Sequence, residues 1–405
     1  MRPCRLVPTL CAALFLFGCA RASTVRQQVP RGTGSAPSAA GRALGNAGDT
    51  AAAAATPALT AIHMTDAARG WGITASAVWR TADGGRTWTN VLTPAGHPPA
   101  GVPLAAGLLG PDTAWVVASD GGAVTVYRTT DGGQAWTHTS VAIANPDPAL
   151  SADPVEQPRF VTFVDPTHGW LWVSVGPAMG GEAGTLLATS DGGAHWTAVS
   201  VAAPQGVPTE VPYLGIKSGV TFTSTTRGWF TVQATIRAPA SLYATHDGGH
   251  HWTRQPLPLS VANADIVGLS PIAGKGAFSV LESRQGALSL AVVPTPKGDA
   301  AWNAGHPLAS HTTGFFLSFA DSEHGFATDG KSMFVTTDGG ATWTSFAPNR
   351  PLQGVTQLDF VSQTLGFAIM PRPNRGDVVL STTDGGHTWQ AVSGYRFSTR
   401  VRSAP

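Results

Sequence analysis

Six aspartates share one local context. Asp83, Asp131, Asp191, Asp247, Asp338 and Asp384 each sit in Thr-x-Asp-Gly-Gly-x-x-Trp, as in TADGGRTW and TTDGGATW. Carboxylates placed this regularly could act as general acids or bind a divalent cation. Both roles need several such groups to converge on one point. The neighbours argue for a different role. Paired glycines permit positive φ at no steric cost. A carboxylate between them and the Thr can accept hydrogen bonds from the turn's own backbone N–H groups. The Trp that follows is a large apolar side chain for burial. The expected role is therefore a turn staple, with no catalytic residue among the six.

The same logic applies to HDGGHHW, where His246, His250 and His251 fall within six residues. His250 and His251 fill box positions held elsewhere by Arg86, Gln134 and Ala194, which implies a solvated turn and not a metal site. No GxxxxGK phosphate loop and no GxSxG elbow occurs. The sequence calls for no cofactor and no metal.

The elements that carry the boxes follow from the spacing. The box tryptophans are Trp88, Trp136, Trp196, Trp252, Trp343 and Trp389, with gaps of 48, 60, 56, 91 and 46 residues. The long gap holds a degenerate copy, TPKGDAAW, with Lys297 in the Asp position. Each box is preceded by an apolar run, a polar turn and a Gly-Trp or Gly-Phe pair opening a second run, as in VTFVDPTHGWLWV and LSFADSEHGFATD. A third run leads into the box and a fourth leaves it. Each unit thus predicts four short antiparallel strands. Seven such units predict an all-β fold, a seven-bladed β-propeller of four-stranded antiparallel blades with a degenerate fifth blade.

The 405 residues carry a formal net charge of +1 and 12% charged side chains, so no basic surface for nucleic acid is implied. Cys4, Cys11 and Cys19 are the three cysteines, leaving no disulfide or thiolate site in the folded part. Arg2 and Arg5 precede the apolar run Leu6–Phe17, which is too short for an ordinary spanning helix and reads as an export signal. It ends in Leu-Phe-Gly-Cys, similar to a bacterial lipobox, which implies lipidation of Cys19. Residues 20–57 are poor in large apolar side chains and read as a flexible tether. The expected organisation is a signal peptide over 1–19, the tether over 20–57, the propeller over 58–395 and a tail over 396–405. The expected location is extracytoplasmic, in the cell envelope, with membrane contact through the lipid alone.

Thr-x-Asp-Gly-Gly-x-x-Trp is similar to the Asp-box, or bacterial neuraminidase repeat. Together with F-x-D-x-x-H-G-W one strand pair earlier, it makes residues 58–392 resemble the propeller family of photosystem II stability and assembly factors and their relatives in non-photosynthetic bacteria. That resemblance implies a monomeric, non-enzymatic platform for a protein partner. Asp-boxes also occur in sialidases, so a glycan-binding or glycan-hydrolysing propeller is the alternative. A sialidase would need an Arg-Ile-Pro and a Tyr–Glu nucleophile pair. The sequence has no Arg-Ile-Pro, and Tyr213 near Glu210 is its one loop Tyr–Glu neighbour.

Two candidate binding surfaces emerge. The residue before the Gly-Trp or Gly-Phe pair is Arg69, His168, Arg227 or His324 in four units, a ring on the box face that suits an anionic partner. Asp66, Asp165 and Asp321 stand three residues earlier and offer purely local partners instead. On the opposite face, long Pro-rich loops of blades two to four carry Asp153, Glu156, Glu182 and Glu210, with Tyr213 as an aromatic anchor.

Overall fold

The computed structural model describes residues 57–398 apart from 95–103, 120–122, 144–156, 179, 204–209, 236–238, 256–264, 273–276, 285–286, 295–307, 311–313, 373–375 and 395. The expected signal peptide, residues 20–56 of the expected tether and Lys297 lie outside the described residues. The regular structure is strand throughout. Ala105–Val141, Gln157–Ala202, Ile216–Gln255, Asp265–Ser310, Phe316–Phe346 and Gln357–Ala391 each form a sheet of four consecutive strands. They are sheets 2 to 7 in chain order. Sheet 1 takes four strands from Leu59–Leu92 and gains a fifth, Arg396–Ser398, from the end of the chain. Within every sheet consecutive strands pair antiparallel, and the first strand lies innermost. The architecture is an all-β propeller with four-stranded antiparallel blades.

The two tryptophan slots of the repeat explain how the sheets adhere. Box tryptophans pack back toward the preceding sheet. Trp136 joins Trp71, Ile73 and Val78 of sheet 1, and Trp389 joins Phe326 and Met333 of sheet 6. Trp88 of sheet 1 packs with Phe367, Ile369 and Val379 of sheet 7, so the last sheet meets the first. The Gly-Trp or Gly-Phe aromatics face the other way: Trp115 packs with Val161 of sheet 3, and Trp170 with Phe222 of sheet 4. Each such seam holds an aromatic from either side, and burying one contributes on the order of 3 kcal/mol.

The glycine of the Gly-Trp pair has a steric reason. Phe163, at the end of the inner strand of sheet 3, stacks on Trp115 of sheet 2 with ring centroids 3.5 Å apart. Phe222 stacks on Trp170 at 3.6 Å, and Phe360 on Phe326 at 3.6 Å. Behind each phenylalanine lies the glycine of its own sheet. A Cβ on Gly169 would stand 2.5 Å from Phe163, and one on Gly228 only 2.4 Å from Phe222. The ring fills the space that the missing side chain leaves.

The tail assignment for 396–405 is corrected at its start. Arg396–Ser398 pairs in parallel with Thr87–Thr89 on the outer edge of sheet 1, and Phe397 meets Trp79 edge-on at 4.6 Å. A three-residue strand, Arg-Phe-Ser, is too short to show a periodicity that marks it in the sequence.

Candidate functional site

The box turn has the same geometry six times. The Thr hydroxyl donates to the Asp carboxylate and accepts from the second Gly N–H. In sheet 1, Thr81 Oγ1 lies 2.9 Å from Asp83 Oδ1 and 2.9 Å from the Gly85 N. The carboxylate then accepts the N–H four residues on: Thr87 to Asp83 at 2.8 Å, Ala135 to Asp131 at 3.0 Å, His195 to Asp191 at 3.0 Å. His251 to Asp247 at 3.0 Å, Thr342 to Asp338 at 2.8 Å and Thr388 to Asp384 at 2.8 Å complete the set. Both glycines take positive φ in every box, for example 70° and 83° at Gly84 and Gly85. These bonds favour the ionised form. Bonds from the Thr342 hydroxyl and N–H and from Thr336 hold the Asp338 carboxyl at about 2. For Asp384 burial works the other way, but the Thr388 and Thr382 bonds still bring it to about 2. A general acid works best with a pKa near the operating pH. These groups are staples with no proton to offer at neutral pH.

The box is also tied to the hairpin turn of its own sheet. The first box glycine donates its N–H to a carbonyl of the turn between the first two strands. The pairs are Gly84 to Ala68, Gly132 to Asp112, Gly192 to Thr167, Gly248 to Thr226, Gly339 to Glu323 and Gly385 to Thr364, at 2.8–2.9 Å. Both turns of a sheet therefore share one face and brace each other. Ties run between sheets as well. Trp115 Nε1 donates to the Gly192 carbonyl at 2.7 Å, Trp170 Nε1 to the Gly248 carbonyl at 2.8 Å, and Arg128 Nη2 to the Pro166 carbonyl at 3.3 Å.

The ring residues stand on this face, three of them beside the local partners that the sequence offers. Arg69 Nε lies 2.8 Å from Asp66 Oδ2, His168 Nδ1 2.8 Å from Asp165 Oδ2 and His324 Nδ1 2.9 Å from Asp321. In sheet 4 Ser224 replaces the Asp. Its hydroxyl accepts the Arg227 N–H at 3.0 Å, and the guanidinium of Arg227 lies over Trp229. Backbone N–H groups of His324 and Glu323, then the His324 ring, hold Asp321 at about 2. The sequence patterns above do not single out two further pairs: His195 with Asp191 and His251 with Asp247, each at 2.6 Å and with highly exposed rings. The i, i+4 spacing within the box is the signal that could have found them.

The loop ledge on the opposite face changes more. Asp153 and Glu156 lie outside the described residues. Glu182 is no rim residue: it is fully buried. Its carboxylate pairs with Arg159 Nη1 at 3.3 Å and accepts the Lys217 N–H at 2.5 Å. Lys217, also fully buried, donates its ammonium to the carbonyls of Glu182 at 2.8 Å, Tyr213 at 3.1 Å and Gly215 at 3.4 Å. Burial pulls the Lys217 pKa down to about 8; Glu182 works against that shift and Arg159 adds to it. Tyr213 is half-buried and lies across Gly181, where a Cβ would come within 2.4 Å of its ring. The ring is part of the packing between sheets 3 and 4. Glu210 is exposed, with Oε2 accepting the Val201 N–H at 3.1 Å. Acidic and aromatic residues in a Pro-rich loop read as a rim; the partner that draws Glu182 inside is Lys217, 35 residues away in the next sheet.

Among the described residues no group of three or more His, Cys, Asp or Glu side chains is arranged to hold a metal ion.

No family model matches the chain, and no curated protein matches it in sequence. Several solved structures align with it over most of its length. YCF48 bound to D1 peptide aligns at TM-score 0.47 and 15% identity over 82% of this chain and 92% of that one. A GH74 xyloglucanase from Xanthomonas campestris aligns at TM-score 0.48 and 12% identity over 82% of this chain, which spans 54% of the enzyme. Apo AztD from Citrobacter koseri aligns at TM-score 0.45 and 11% identity over 83% and 85% of the two chains.

Proposed function

We propose that the chain is a non-enzymatic protein-binding scaffold, a seven-bladed ring held at the outer face of a membrane by lipid on Cys19 and the tether 20–57. The recognition surface is the box face. The observation that carries this reading is the repeated brace of box turn on hairpin turn in six sheets, at 2.8–2.9 Å. It makes one face a rigid array of exposed turns whose basic groups, Arg69, His168 and His324, are each set by a carboxylate of the same turn. A rigid scaffold that presents polar loops in fixed positions is the usual setting for recognition. The buried state of Glu182 and the packing of Tyr213 favour this face over the loop ledge.

The test is capture from detergent-solubilised envelope membranes with three baits: wild type, the double change Arg69→Glu and Arg227→Glu, and Tyr213→Ala. A partner held by wild type and by folded Tyr213→Ala but lost from the double variant supports the box face. Equal capture by the double variant overturns it. Binding to a glycan array, or release of sugar from a sialoside, would move the function to the glycan alternative. The anchor has its own test. Cys19→Ser should shift the protein from the membrane to the soluble fraction, and persistence on the membrane overturns lipidation.

A further inference from the structure

We propose that the outer edge of sheet 1 is a strand-addition site for an extended peptide with a central aromatic side chain, and that Arg396–Ser398 keeps it occupied. The outermost strand of a propeller blade presents a row of unpaired N–H and C=O groups. In sheet 1 that row lies on Thr87–Leu92, and its first part, Thr87–Thr89, is covered by the chain's own last described strand, running parallel with Phe397 opposite Trp88. Among the described residues no other sheet carries such an added strand. The occupant displays the chemistry of the site. Its backbone supplies the ladder, beginning with the Arg396 N–H to the Arg86 carbonyl at 2.9 Å. Its one aromatic ring sits edge-on to Trp79 at 4.6 Å and joins the apolar seam between sheets 1 and 7. Main-chain pairing for affinity and a side-chain pocket for selectivity is the general mode of strand addition.

The occupant is also weakly held. It is three residues long, Arg396 is exposed, and Phe397 is only half-buried. Gly394 turns the chain toward it at φ +75°, and a Cβ there would meet nothing within 4 Å. Its occupancy rests on the covalent link to sheet 7, which raises its effective concentration at the edge. A partner strand of the same character, delivered at high local concentration, competes for the same ladder. This surface starts at the box residues Arg86–Trp88 and runs along the outer edge of sheet 1, apart from the hairpin-turn residues Arg69, His168, Arg227 and His324, and the inference rests on the proposed function only in taking the chain to be a binder of proteins.

The probe is a fluorescein-labelled peptide of residues 393–402, titrated by anisotropy into the full chain. Phe397→Ala should bind it at least tenfold more tightly than wild type, and the peptide with its own Phe changed to Ala should lose that gain. Arg396→Pro, which removes the N–H donated to Arg86, serves as a second opened variant. Equal affinity of wild type and either folded opened variant overturns the proposal. Amide exchange on the unmodified chain gives an answer without any variant: Arg396–Ser398 should exchange far faster than the interior of sheet 1, and equal protection overturns it. A wild-type dimer that Arg396→Pro dissociates would assign the edge to a second copy and overturn it too. Adding Arg69→Glu and Arg227→Glu to Phe397→Ala should leave peptide binding intact, which separates failure here from failure of the box face.

Discussion

The side-chain amide of Gln357 takes the place of a strand for Ile62. Gln357 Nε2 donates to the Ile62 carbonyl at 2.8 Å, and Gln357 Oε1 accepts the Ile62 N–H at 2.7 Å, across 295 residues of sequence. Two residues along, Asp359 Oδ2 accepts the Met64 N–H at 2.5 Å. The inner strand of the last sheet thus satisfies the inner edge of the first by side chains, where a shared strand would otherwise be needed. Gln357→Leu keeps the size but leaves two polar groups of a buried residue unpaired, each loss worth roughly 1–3 kcal/mol. The expected outcome is a loss of about 2 kcal/mol or more in urea unfolding, with the m-value unchanged. A change below about 0.5 kcal/mol would show that water replaces the amide at no penalty.

The box carboxylates make stability fall in acid. Their folded pKa values lie below the ordinary 3.8, at about 2 for Asp338 and Asp384. A depressed carboxyl contributes stability that is complete above its unfolded pKa and lost as pH falls through the folded value. The chain should therefore keep a flat stability down to about pH 4 as far as these groups are concerned, then lose it between about 4 and 2. Asp338→Ala removes one staple and should lower stability at pH 7 by about 1 kcal/mol, as loss of a capping carboxylate does elsewhere. It should also flatten the acid slope. An unchanged slope in unfolding curves taken from about pH 5 to about pH 2 would remove Asp338 from this role.

The stack of Phe222 on Trp170 gives a test of the glycine rule. Gly228→Ala would place a Cβ 2.4 Å from the Phe222 ring and push it off Trp170. Overpacking of this kind typically destabilises by about 1–3 kcal/mol. Shrinking the ring in the same chain, as Gly228→Ala with Phe222→Val, should recover part of that loss. If the double variant is worse than the sum of the two single changes, the clash is not the cause.

What was legible in the sequence follows the range of the interactions. The box staples and the Asp66–Arg69 type of pair form within four residues and each four-strand unit within one repeat, so their spacing records them. Gly169 and Gly228 were visible as a recurring Gly but not as a clearance, because the ring that needs it stacks on a different sheet. Gln357, Glu182 and Arg396–Ser398 owe their roles to partners 295, 35 and roughly 310 residues away, and their own neighbours in sequence are ordinary. Local polarity placed Glu182 and Tyr213 on a rim; a lysine from the next sheet draws Glu182 inside, and a glycine beneath the ring leaves Tyr213 half-buried.

That buried cluster yields the last prediction. Lys217 and Glu182 are both withdrawn from water, and each side chain bonds the other's backbone: the carboxylate accepts the Lys217 N–H and the ammonium donates to the Glu182 carbonyl, while Arg159 is the ion-pair partner of the carboxylate. Removing the Lys217 ammonium leaves the carbonyls of Glu182, Tyr213 and Gly215 without their donor, and a loss of this kind typically destabilises by about 1–3 kcal/mol. Lys217→Met should fall in that range, while Lys217→Met with Glu182→Gln should lose clearly less than the two single changes added together. The sign of the pH dependence is fixed by the depressed pKa. Folded Lys217 releases its proton near 8, whereas the unfolded side chain holds it to 10.5, so the unfolded state binds more protons between those values. The contribution of Lys217 to stability therefore grows from pH 8 toward 10.5 and falls as pH drops through 8. Unfolding curves of wild type and of the double variant at about pH 7 and about pH 9.5 test it. The wild type should gain on the double variant at the higher pH, and the absence of any gain would mean that the folded protein holds the Lys217 ammonium charged well above 8.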